Sequence, residues 1–173
     1  MTEAEEKKAI QKETILRYSE MVYRLAYSLV KDKYDADDIY QEVFTNYIKK
    51  NPQFRSEEHE KAWFIRVTVN CCKNFWKSAW QNRTEGLMEA VQKNREDMLA
   101  RTEESTDKEA QNLAMIEQVK LLPEKYRIVI HLFYYEDMSV EEIGKVLKSK
   151  PSTIRTQLTR ARRLLKKRLK EEI

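Results

Sequence analysis

Glycine and proline are nearly missing from this sequence, with two and three among 173 residues. A chain so poor in turn-forming residues cannot supply the repeated hairpins of a sheet protein. Val and Ile are few beside Glu, Lys, Leu and Arg, and no apolar–polar alternation recurs between turn signals, so the expected class is all-α. Long apolar runs are absent too, which excludes a membrane-spanning helix, and the opening "MTEAEEKKAIQKE" is too charged for a signal peptide. The expected location is the cytosol. Cys71 and Cys72 are adjacent, without metal-site spacing and able to bond to each other only with strain, so they read as buried reduced thiols. With His59 and His131 standing alone and no phosphate-cradling glycine loop, no metal site, cofactor or catalytic centre is expected.

What is abundant is charge, and its placement carries the information. Lys and Arg number 33 against 29 Asp and Glu, a net of only +4, yet no acid lies between Ser149 and Lys170. Periodicity and caps predict three helices in the first half. One spans roughly Glu13 to Lys31, with Leu16, Met21, Val22, Leu25, Ala26 and Leu29 near one stripe. A second begins at Asp35 as N-cap and ends at the Asn51–Pro52 pair, and a third runs from after Ser56 to about Trp80. Residues 81–111 are polar and highly charged and read as a flexible linker. A second small helical domain follows over 112–173, with a helix near Ala110 to Lys120 and another opening at Pro123 that turns Tyr126, Val129, Ile130 and Phe133 inward.

Two further helices are written into "SVEEIGKVLKSKPSTIRTQLTRARRLL". Ser139 and Glu142 have the spacing of a capping box, and Pro151 suits the first position of a helix while holding Lys150 extended. Two short helices joined by a tight turn make a helix-turn-helix. On the last helix Ile154, Leu158, Ala161, Leu165 and Leu169 share an apolar stripe. The opposite side presents Ser152, Arg155, Thr156, Thr159, Arg160, Arg163 and Lys166, hydroxyls and guanidiniums suited to base edges and phosphates in a major groove.

In the first half, "DADDIYQEVFTNYIKK" turns Ala36, Ile39, Tyr40, Val43, Phe44 and Tyr47 inward and Asp38, Gln41, Glu42, Thr45 and Lys49 outward. That outer face serves solubility or meets a basic partner. The third helix places Trp63, Arg66, Asn70, Lys73, Asn74 and Lys77 on one side and Phe64, Ile65, Thr68, Val69, Cys72, Phe75, Trp76 and Ala79 on the other. Cations that track phosphates, with an aromatic ring at one end, suit melted DNA.

The ordered set "DADDIYQEVF", "KAWFIRVTVN" and "MSVEEIGKVLKSKPSTIRTQLTRARRLL" resembles regions 2 and 4 of the extracytoplasmic-function sigma factors of bacterial RNA polymerase. The resemblance implies a non-enzymatic factor that binds core polymerase and directs it to promoters. It implies that Asp38, Gln41 and Glu42 dock on the clamp helices of the largest subunit. Trp63, Arg66, Asn70, Lys73, Asn74 and Lys77, with the 51–56 loop, would hold the −10 element, and Ser152, Arg155, Thr156, Thr159, Arg160 and Arg163 would read the −35 element. It further implies an anti-sigma partner, and a linker threading toward the RNA path, which the acidic tract "TEESTDKEAQ" fits. Two departures stand out: Lys148 occupies the turn where the family usually has glycine, and Gln157 and Lys77 replace common arginines. A dimeric repressor sharing only the helix-turn-helix is the rival reading, but it requires a receiver or ligand pocket that the first half does not suggest.

Overall fold

The computed structural model describes residues 2–81 and 117–171, all helical or in short connections, with no strand among them. The linker of the sequence reading, and the start of the helix placed near Ala110, lie outside the described residues. Contacts divide the chain into two compact units, Met1–Ser78 and Ala79–Ile173.

Three helices build the first unit: α1 (Glu3–Val30), α2 (Lys33–Lys50) and α3 (Glu57–Gln81). Helix α1 starts ten residues before the expected Glu13. Thr2 and Glu5 form a reciprocal capping box there, and the first three turns stay exposed apart from a half-buried Gln11. Periodicity misses this stretch because it buries almost nothing. The N-cap of α2 is Asp32, whose carboxylate accepts from the Tyr34 N–H, so the expected cap Asp35 lies inside the first turn. Helix α2 ends as expected at Asn51, in a left-handed conformation with φ of 44°. The core holds Val22, Leu25, Ala26, Leu29, Ile39, Val43, Phe64 and Ile65. Rings tie α3 to the other two helices: Phe64 stacks on Tyr18 with centroids 4.7 Å apart and meets Tyr47 at 5.3 Å and Phe44 at 5.7 Å. Arg17 adds an α1–α3 ion pair to Glu60 at 3.0 Å. Leu16, expected in the core stripe, is 69% exposed, and Ala79 is exposed rather than inward.

The second unit packs α6 (Pro151–Glu171) on both α4 (Glu124–Tyr134) and α5 (Val140–Leu147). Its core joins Leu122, Val129, Leu132, Ile143, Ile154 and Leu158. Buried Arg127 donates to the carbonyls of Lys120 and Leu122 at 3.0 and 3.2 Å, closing the end of helical residues 117–120. His131 is not isolated. It is 1% exposed, its Nε2 lies 3.2 Å from the buried Glu136 carboxylate, and its ring stacks on Tyr135. The pair sits at the corner between α4 and α5, where Tyr135 and Glu136 both donate their N–H groups to the His131 carbonyl.

Candidate nucleic-acid and protein interfaces

The expected capping box opens α5: the Glu142 N–H donates to Ser139 Oγ at 3.1 Å, and the Ser139 N–H donates to the Glu142 carboxylate at 3.3 Å. The helix closes at Lys148 in a left-handed conformation, φ 55°, ψ 45°. The turn is thus built with a left-handed residue, and a lysine bears a cost of about 1 kcal/mol that glycine would avoid. Both the Lys148 and Ser149 N–H groups donate to the Gly144 carbonyl. Glycine is required one turn earlier instead. A Cβ on Gly144 would stand 2.7 Å from the Ser149 carbonyl oxygen, so its absence lets the chain fold back over α5 before Pro151 starts α6.

On α6, Ile154, Leu158 and Ala161 are buried, while Ser152, Arg155, Thr156, Thr159, Arg160, Arg163 and Lys166 are all exposed. Leu165 and Leu169 are only half-buried. They line an apolar groove of about 650 Å³ with Val119, Ile130 and Tyr134. The hydroxyls of Thr156 and Thr159 donate to the carbonyls of Ser152 and Arg155 at 3.0 and 2.9 Å, which commits their protons and leaves their oxygen lone pairs to accept. In that state they can accept from a base amino group but have no proton for a phosphate. Arg155 meets Glu141 of α5 at 3.0 Å. Arg162, by contrast, donates to the Tyr134 hydroxyl at 2.7 Å and lies over the Phe133 and Tyr134 rings, so it braces α6 on α4. Neither the Glu141 contact nor the Arg162 contact has a helical spacing that sequence could reveal.

In the first unit Asp38, Gln41 and Glu42 are exposed together on α2, opposite Ile39 and Val43. Burial first, and then the neighbouring Glu42 carboxylate, push the Cys71 thiol up to about 12, so the side chain stays protonated. Both cysteines are buried and free, as their sequence position suggested. On α3, Asn70, Lys73, Asn74 and Lys77 are exposed and Arg66 is half-buried. Trp63 divides its roles. It is half-buried, with its ring against Phe64, Phe54 and Tyr47 at 5.0 to 6.1 Å between centroids, so only part of it is available to a ligand. His59 organises the preceding loop: its Nδ1 accepts from the Arg55 N–H, its own N–H donates to Ser56 Oγ, and its ring meets the edge of Phe54.

Residues 14–82 match the family model of sigma-70 region 2, and residues 112–165 match that of sigma-70 region 4. The chain belongs to the sigma-70 family, in its extracytoplasmic-function group. It is an RNA polymerase sigma factor, which binds core polymerase and directs it to promoters. The chain is 29% identical to RNA polymerase sigma factor SigV of Bacillus subtilis, over 95% of this chain and 94% of that one. It is 26% identical to the extracytoplasmic-function sigma factor SigW of the same organism, over 89% and 86%. The fold is also that of the sigma factor RpoE of Bartonella quintana, solved with the anti-sigma factor NepR. That match has a TM-score of 0.65 and 19% identity, and it covers 92% of this sigma factor and 96% of RpoE.

Proposed function

We propose a division of labour among three faces of this sigma factor. Asp38, Gln41 and Glu42 engage the clamp helices of the polymerase largest subunit. Arg66, Asn70, Lys73, Asn74 and Lys77, with the outer part of Trp63 and the 51–56 loop, hold the melted −10 element. Ser152, Arg155, Thr156, Thr159, Arg160 and Arg163 read the −35 element as duplex. The observation that carries this reading is the sorting on α6, where every proposed reader is exposed and the buried residues Ile154, Leu158 and Ala161 lie on the other side. Hydroxyl and guanidinium groups on an exposed helix behind a tight turn are the equipment of major-groove recognition.

The proposed functional segments are 1–80 for polymerase and −10 binding, 81–111 as connection, and 112–173 for −35 binding. The factor works in the cytoplasm and catalyses no reaction itself. An anti-sigma factor, of which the RpoE complex offers an example, holds it inactive until a signal arrives. The test uses holoenzyme reconstituted with core polymerase on a promoter chosen from a genomic library. Arg66→Ala with Asn70→Ala is expected to leave assembly intact and to reduce permanganate reactivity of the promoter thymines. Unchanged opening would remove α3 from the DNA interface.

A further inference from the structure

Arg155 is the guanidinium nearest the start of α6 and the one expected to grip a base. Its Nη2 lies 3.0 Å from Glu141 Oε1, across the turn on α5, while the side chains remain 59% and 61% exposed. An ion pair this wet contributes little to stability in the free protein. Its interest lies in direction. Arginine presents five donors in a planar fork, and a carboxylate holding one edge fixes the plane in which the remaining donors point. Without that hold the side chain samples many rotamers and can reach phosphates as readily as a base edge. An acid this close to a DNA-reading face also opposes indiscriminate phosphate binding.

We propose that Glu141 is a specificity-determining positioning residue. It holds Arg155 in the orientation that reads a base of the upstream promoter element, and it acts through that contact rather than through its charge alone. The inference rests on the assignment of Arg155 to −35 recognition. Closing of the DNA groove over the pair excludes water and strengthens a contact that is weak in the free chain.

Glu141→Asp is the decisive variant, because it keeps the negative charge at the start of α5 but shortens the side chain by one methylene and withdraws the carboxylate from Arg155. Holoenzymes carrying Glu141→Asp, Glu141→Ala, Arg155→Ala and the double variant Glu141→Ala/Arg155→Ala are compared in transcription. The templates are a cognate promoter and the set with each upstream base replaced in turn. Arg155→Ala is expected to flatten discrimination at one position by about fivefold or more. Both Glu141 variants are expected to flatten the same position, and Glu141→Ala should add nothing in the Arg155→Ala background. Discrimination at wild-type level in Glu141→Asp would overturn the contact mechanism, as would an unchanged Glu141→Ala effect in the absence of Arg155. If Arg155→Ala itself leaves every position unchanged, the −35 assignment falls and the inference with it. If Arg155→Ala flattens a position that the Glu141 variants leave sharp, the inference alone is overturned.

Discussion

Replacing Gly144 by alanine tests whether the turn between α5 and α6 is held by a close approach of backbone atoms. The new Cβ would stand 2.7 Å from the Ser149 carbonyl oxygen, where ordinary contact begins near 3.4 Å, and it would also touch Pro151 N at 3.6 Å. The obstructing atom is backbone and cannot rotate away. The turn must therefore retreat by several tenths of an ångström, carrying the start of α6 with it. Overpacking of this kind costs about 1 to 3 kcal/mol, and alanine's higher helix propensity returns about 1 kcal/mol. A net loss of about 1 kcal/mol in the second unit is expected. Trp63 and Trp76 lie on α3 within the first unit, so in a Trp80→Phe background their fluorescence in a urea titration reports that unit, while far-ultraviolet circular dichroism reports both. The fluorescence midpoint should stay in place while part of the dichroism signal melts at lower urea. A second unit stabilised by about 1 kcal/mol, the full helix-propensity gain, would show that the approach imposes no constraint.

Other outcomes follow from single positions. Lys148→Gly should stabilise the second unit by up to about 1 kcal/mol, since glycine adopts the left-handed turn without the Cβ penalty; a lower melting point would contradict the strain at φ 55°. Burial first, and then the charges of Asp32 and Asp38, push the Asp35 carboxyl up to about 6 from an ordinary 3.8. The folded state therefore binds this proton more tightly than the unfolded one. Its contribution to stability falls as pH rises from about 4 to about 6, and the full penalty remains above that range. Asp35→Asn should flatten that slope and raise stability at neutral pH by less than about 1 kcal/mol, given solvent screening; an unchanged slope in pH-dependent melting would refute it. Reversing Asp38 and Glu42 to lysine should weaken capture by core polymerase about tenfold or more on every promoter. Wild-type co-purification of a folded variant would remove α2 from the docking surface.

Legibility in the sequence followed locality. Ser139 with Glu142, and Pro151, are signals complete within four residues, and both helix starts were found where they stand. The α2 cap was misread because Asp32 and Asp35 are chemically equal candidates three residues apart, and only the buried face decides between them. The beginning of α1 was missed although Thr2 and Glu5 spell a capping box, because no apolar stripe follows for three turns. Leu16 faces outward because at about 100° per residue it lies about 180° from Leu25, on the side of α1 opposite the buried stripe of Thr14, Tyr18, Met21, Val22 and Leu25. His131 with Glu136, and Arg155 with Glu141, pair across corners of the backbone, at separations that no periodicity encodes. The faces of α2 and α6 were readable because a helix shows its outward residues directly in its spacing.

The separation of faces on α6 also bears on how such a protein diverges. Ser152, Thr156, Thr159, Arg160 and Arg163 are exposed, and the hydroxyls of Thr156 and Thr159 bond only within their own helix among the described residues, so substitutions there carry almost no folding penalty. Gly144, Ile154, Leu158 and Ala161 have no such latitude, because each is enclosed by the turn or the core. On the proposed assignment of this face to the −35 element, duplicated copies of the chain can drift to new promoters while keeping one scaffold. Position 155 is the exception: its guanidinium is paired across the turn, and a lineage that replaces it loses the reason for the acid at 141.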